Sequence, residues 1–233
     1  MVGQIAQMHA DYNTIVKLAD AIAKQAGASL NVLPMAANEV GAHLVNFLPA
    51  NGKNSAQMIA DGMKAFINMN IEPELDFAKG DAAQTAMKNA QFVVNLTAFD
   101  SEAQREYADV MLPVATFAET AGTFVNANGQ KQSFKMSVEP KGEAKAAWKV
   151  LRVLGNMFDV DGFDYTHSNE VLSEVLDNTA AQVDFSAISV SLPAQNNDAQ
   201  VELLSPYAVD ALVRRAPSLQ ATPDACVETM VKG

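Results

Sequence analysis

Between Tyr12 and Pro113 the chain alternates segments of helical period with short apolar runs, and no other feature restricts its fold as strongly. Tyr12, Ile15, Val16, Ala19, Ile22, Ala23 and Ala26 keep to one helix face, with Asp11 placed as N-cap and Gly27 as the residue that ends the helix. Leu30-Asn31-Val32-Leu33 then reads as a short strand closed by Pro34, Ser55 to Asp61 as a short helix, and Lys64 to Asn68 as a second strand. A helix from about Ala82 to Asn89, a strand from Phe92 to Leu96, a helix after Asp100 and a strand from Val110 to Leu112, stopped by Pro113, continue the series. Strands separated in this way pair in parallel through right-handed helical crossovers, so the expected fold class is α/β, a Rossmann-like parallel sheet with flanking helices. Val2-Gly3-Gln4 reads as the end of a buried strand entering its turn, which leads us to expect that the first strand lies before Met1.

Beyond Pro113 the pattern changes. Thr123-Phe124-Val125 and Gln132-Ser133-Phe134 flank Asn126-Ala127-Asn128-Gly129, whose Asn-Gly pair suits a turn with positive φ, so a small β excursion is expected. A helix follows from Glu143 to about Phe158, with Ala147, Trp148, Leu151 and Leu154 on one face and Trp148 in the core. Ser168 is placed to cap a helix containing Val171, Leu172, Val175 and Leu176. The polar stretch from Ala194 to Gln200 reads as a linker, and Leu203 to Thr222 as a short helix or an extended packing arm. The expected organisation is an α/β domain over residues 1–180 and an irregular C-terminal extension or linker over 181–233.

Composition excludes several functions. With 16 basic against 27 acidic residues, the chain lacks the clustered cations that a nucleic-acid backbone requires. No apolar run approaches the ~20 residues of a membrane span, and Met1 opens no signal pattern, so direct membrane insertion is not expected and a cytoplasmic location is. The single cysteine, Cys226, cannot form an internal disulfide or hold a cluster alone. His9, His43 and His167 are scattered, which supports no metal site.

In a doubly wound sheet ligands sit at the carboxyl ends of the strands. Four turns qualify: Gly3-Gln4, Met35 to Gly41, Asn70 to Pro73 and Thr97 to Ser101. None carries the Gly-x-Gly-x-x-Gly fingerprint for a dinucleotide, and no nucleophile elbow occurs. Asp109 and Glu119 read as loop-capping carboxylates, with an acid–base pair as the rarer alternative. Arg214-Arg215 suits either an anion clamp or a salt bridge across an interface.

The run from Tyr107 through Ala108-Asp109-Val110-Met111-Leu112-Pro113 to Glu119-Thr120-Ala121-Gly122-Thr123-Phe124-Val125-Asn126, continuing to Gly129 and Gln132, closely resembles a signature segment of the molybdopterin oxidoreductase superfamily. Pro140 to Ala144, Trp148 and Leu151 resemble the helix that follows it there. Asp210 to Ala216 and Ser218 to Thr222 resemble, more specifically, the large iron–sulfur subunit of bacterial NADH:quinone oxidoreductase, respiratory complex I. The likeness runs from Val2 to about Thr222. It implies a structural part of the complex I peripheral arm, supporting electron transfer from NADH to quinone without catalytic or cofactor-binding residues of its own. Iron–sulfur clusters are then expected in an N-terminal region of the parent subunit. The implied partners are the remainder of that subunit and the other peripheral-arm subunits, at the cytoplasmic face of the membrane. The alternative is the cofactor-binding half of a molybdopterin enzyme such as a formate dehydrogenase, with Gly122, Thr123, Asn126 and Gln132 contacting the pterin dinucleotide. The superfamily's Gly-x-Asn-Pro-like turn appears here as Asn70-Ile71-Glu72-Pro73, and Gln130 stands where an arginine is usual. A free-standing nucleotide module is a third reading, disfavoured because a truncated sheet would leave an edge unpaired.

Overall fold

In the computed structural model, which describes residues 1–9, 11–47, 49, 51–177 and 205–225, the alternation yields a three-stranded parallel sheet. β1 (Ala65–Met69), β2 (Phe92–Thr97) and β3 (Val110–Pro113) lie side by side in that order. Phe66 stands opposite Val93, Asn68 opposite Asn95, and Leu96 opposite Leu112. These strands belong to the larger of two compact units, formed by residues 45–124 and 131–177; residues 1–44, 125–130 and the described part of 180–233 form the other.

In the larger unit the two crossovers are α6 (Gly80–Asn89), between β1 and β2, and α7 (Glu102–Tyr107), between β2 and β3. Phe66 and Val93, on one sheet face, close a core with Ala86 and Met87 of α6 and Tyr107 of α7. Burying a side chain of Met87's or Val93's size stabilises by about 1.5–3 kcal/mol, and here they are 3% and 1% exposed. Before β1, α4 (Ser55–Asp61) starts on a reciprocal capping box between Asn54 and Gln57. Ser101 caps α7 by accepting from the Gln104 amide. Pro113 ends β3 without disturbing the ladder, because β3 is the last strand of this sheet and Pro lacks only a donor. The next residue, Val114, makes a parallel bridge to Lys145.

The β excursion is a hairpin of β4 (Gly122–Val125) and β5 (Lys131–Phe134), with Gly129 at φ +76° in its turn. Helix α8 (Ala147–Met157) begins later than the expected Glu143, because Lys141 to Ala146 form a turn and the Lys145 bridge instead. Trp148 is not a core residue: it is half-buried, with Lys149 Nζ 5.6 Å from its ring centroid, and Leu151 is exposed. Ser168 is the first residue of α9 (Ser168–Asp177) and not its outer cap; the Glu170 carboxylate, a stronger acceptor than a hydroxyl, takes the Thr166 and His167 amides.

In the smaller unit the expected Leu30–Leu33 strand is reduced to a single parallel bridge between Val2 and Val32. Gly3 already caps α1 (Gln4–Gln7) and Pro34 has no N–H to offer, so the pairing stops at the Val2–Asn31 and Leu33–Val2 bonds. Helix α2 (Tyr12–Ala26) ends on Gly27 at φ +65°, as expected, but Asp11 makes no side-chain cap, its backbone lying outside the extended region. Val16 is the buried residue of that helix, while Leu18 and Ile22 remain exposed. The next helix is α3 (Glu39–Leu44). Toward the C-terminus, Pro206 and Pro217 each open a short helix, α10 (Pro206–Val209) and α11 (Pro217–Gln220), so this segment is a run of helical turns and not an extended arm. The expected linker at 194–200, the boundary at 180 and Cys226 lie outside the described residues. Among the described residues no helix is long and apolar enough to cross a membrane.

Candidate functional site

The turn after β1 is built around two polar residues. Asn70 takes the left-handed conformation, φ +52°, which asparagine tolerates better than most residues, and its amide donates to the Leu96 carbonyl at 2.8 Å. Glu72 sits at the N-cap of α5 (Pro73–Asp76), its own amide donating to Asp76 Oδ2 at 2.7 Å. Glu72 is only 3% exposed, so this turn ends in a buried carboxylate. The Glu72 carbonyl accepts from the Leu75 and Asp76 amides, both at 2.8 Å.

Beneath the turn runs a chain of buried amides. Asn68 Nδ2 donates to Asn95 Oδ1 at 2.9 Å and lies 3.5 Å from Met87 Sδ; Asn95 Nδ2 reaches Gln104 Oε1 at 3.4 Å. Gln104 is fully buried, and its Nε2 has no hydrogen-bond partner. Beside this chain the Tyr107 hydroxyl donates to Glu74 Oε2 at 3.0 Å. Burial first, then the charge and hydrogen bond of Glu74, hold Tyr107 well above the ordinary phenol range. Tyr107 thus stands as a hydrogen-bond donor to Glu74. After β2, Thr97 Oγ1 closes a local loop with Phe99, and Arg105 is paired with Asp100, whose carboxyl the guanidinium holds below its usual range.

Of the hairpin residues singled out for a pterin dinucleotide, Gly122, Thr123 and Asn126 are engaged within the hairpin. A Cβ on Gly122 would come within 2.6 Å of the Phe134 ring, so this glycine makes room for an aromatic packed edge-on against Phe124. Thr123 Oγ1 pairs across the strands with Ser133 Oγ at 2.9 Å. Asn126 Oδ1 accepts from the Asn128 and Gln130 amides, both at 3.0 Å, and Gln130 Oε1 lies 3.4 Å from Asn126 Nδ2. Gln132 stands exposed on β5. The β1 turn supplies a carboxyl group and no arginine, whereas a diphosphate is best met by forked cationic donors.

Other candidates are absorbed locally. Asp109 accepts from the Val93 amide at 2.7 Å, and Glu119 from both the amide and hydroxyl of Thr116, which hold the Glu119 carboxyl below its usual range. Loop capping is thus what these two carboxylates do. In the smaller unit, Glu39 takes the Met35 and Ala36 amides, and Asn38 Oδ1 accepts from the Val125 amide at 2.8 Å. Arg214 and Arg215 donate to the Ala208 and Ala211 carbonyls. His9 and His43 do have carboxylates nearby, Asp11 at 3.9 Å and Glu39 at 4.0 Å, but no group of three metal-binding side chains occurs among the described residues. Sequence reasoning missed Asn68, Asn95, Gln104 and the Tyr107–Glu74 pair. The legible signal was parity: Asn68 and Asn95 fall on the inward face of their strands, two residues beyond Phe66 and Val93.

A parallel sheet with helical crossovers and strand-end turns defines an α/β domain. The chain belongs to the molybdopterin oxidoreductase family, whose profile matches residues 1–157. A putative formate dehydrogenase of Staphylococcus aureus (strain USA300) is 36% identical over 69 residues, covering 30% of this chain and 7% of its own length. The assimilatory nitrate reductase catalytic subunit of Bacillus subtilis (strain 168) is 28% identical over 148 residues, covering 61% of this chain and 21% of its own. The chain thus spans between 7% and 21% of these two relatives. They bear out the superfamily resemblance at the level of an oxidoreductase family; neither bears a complex I name.

Proposed function

We propose that the chain is a supporting α/β domain within the large iron–sulfur subunit of a bacterial NADH:quinone oxidoreductase, bracing neighbouring electron-transfer parts at the cytoplasmic side of the membrane. The observation that carries this reading is Glu72, a 3% exposed carboxylate at the β1 turn. A phosphate brought to that turn would meet a carboxyl group, which offers oxygen acceptors where a phosphate needs hydrogen-bond donors. The resemblance of Asp210 to Thr222 to the complex I subunit supports it further. In this reading the clusters, the quinone site and the remaining peripheral-arm subunits are supplied by the rest of the assembly.

A second reading is the cofactor-binding part of a molybdopterin enzyme of the formate dehydrogenase or nitrate reductase kind. The two relatives favour it over the first. Gly122, Thr123, Asn126 and Gln132 would then face the pterin dinucleotide. Affinity purification of the tagged chain from its own cells in mild detergent separates the two. Co-purifying NADH:quinone oxidoreductase activity is the expected result, whereas formate-dependent or nitrate-dependent dye turnover without NADH oxidation assigns the chain to the second reading.

A further inference from the structure

A groove of about 750 Å³ runs along α8, with Leu112 of β3, Trp148, Leu154, Met157 and Tyr165 among its walls. That size and apolar lining suit a small organic ligand, for which pockets of roughly 300–1,000 Å³ are typical. Its charged groups are all cations: Lys145, Lys149 and Arg152 line it and no carboxylate does, in a chain with 27 acidic residues against 16 basic ones. Arg152 Nε is buried without a hydrogen-bond partner. Arg152 is nonetheless one of the groove's lining residues, and an anionic acceptor placed there would gain a charge-assisted hydrogen bond from its guanidinium. Tyr165 and Thr166, at the same groove, have hydroxyls already engaged by Glu174 at 2.6 Å and Glu170 at 2.9 Å. The cations are therefore the groups left to choose a ligand.

We propose that this groove binds a planar organic anion, an aromatic carboxylate or aryl phosphate, with its acidic group on Arg152 and Lys145 and its flat body against Trp148 and Met157. An arginine fork suits a planar oxyanion, and an indole suits a flat apolar face. The groove shares no residue with the β1 turn or the hairpin, so its occupancy is independent of the oxidoreductase assignment.

Trp148 is the only tryptophan in the chain, so its fluorescence reports on this site. The full chain is titrated with 4-nitrobenzoate, whose nitro group quenches indole emission, and in parallel with its neutral isostere 4-nitrobenzamide. Saturable quenching by the acid is expected, at least about tenfold weaker for the amide and for Arg152→Met, the scale of one lost charge-assisted hydrogen bond. Far-UV circular dichroism verifies that Arg152→Met is folded; if it is not, Lys145→Met is used, with a several-fold loss expected for the acid alone. Linear, unsaturable quenching by both compounds, or equal saturable affinities for acid and amide, overturns the proposal.

Discussion

Replacing Asn95 by alanine tests the buried amide chain that organises the carboxyl ends of β1 and β2. The substitution removes the acceptor of the 2.9 Å bond from Asn68 and the donor that reaches Gln104 Oε1. Gln104, whose Nε2 already lacks a partner, would then be left with neither end of its amide bonded, at full burial. Each buried polar group orphaned in this way costs about 1–3 kcal/mol, so Asn95→Ala should destabilise by about 2–4 kcal/mol. For a chain of this size that lowers the melting temperature by about 5–15 °C. Urea unfolding followed by circular dichroism gives the free energy directly, with exposed Asn89→Ala as a control expected to stay within about 0.5 kcal/mol. Adding Asn68→Ala closes a double-mutant cycle, which should return a coupling of about 1 kcal/mol between the two amides. A loss below about 0.5 kcal/mol for Asn95→Ala, or strict additivity of the pair, would refute the idea that these amides act as one network.

Three further outcomes follow from local geometry. A Cβ on Gly80 would lie 2.1 Å from the Glu74 carbonyl oxygen, so Gly80→Ala should cost about 1–3 kcal/mol by displacing backbone, while Gly3→Ala, with nothing within 4 Å, should be close to neutral in the same urea titration. Glu119 has a folded pKa held below its unfolded value by the Thr116 bonds, so its stabilisation is present above the ordinary carboxylate range and lost as pH falls through the lower folded value. Glu119→Gln should accordingly show a smaller drop in melting temperature than the parent chain between about pH 5 and 3; an identical acid limb would contradict the capping role. Truncating Met87 to alanine, at 3% exposure in the core, should cost about 2–5 kcal/mol in thermal or urea unfolding.

The crossover pattern of the sheet was legible because burial on one face enforces periodicity: Phe66, Val93 and Met87 had to be apolar, and the intervening helices had to be amphipathic. Gly27 and the Asn128-Gly129 turn were legible for a different reason, since few residues accept positive φ. The amide chain was not, because Asn68 and Asn95 look like interruptions of a strand until the register places them opposite each other. Leu30 to Leu33 has a strand's composition, yet strand formation requires a partner with donors and acceptors in step, and Pro34 and the Gly3 cap remove those. Trp148 looked like core because its helix face is apolar, but that face also lines an open groove, which only the packing of α8 reveals. At the candidate site, sequence showed that Glu72 and Gln130 depart from the superfamily pattern. It did not show that Gly122 accommodates Phe134 or that Asn126 holds its own loop.

Quantifying molybdenum, tungsten and pterin in the native protein purified from its own cells tests the supporting-domain proposal most directly. Elemental analysis together with the fluorescence of oxidised pterin should find both metals and pterin far below one per chain, alongside iron and acid-labile sulfide. Stoichiometric molybdenum or tungsten with pterin dinucleotide would contradict the supporting-domain account and return Gly122, Thr123, Asn126 and Gln132 to a cofactor-binding role.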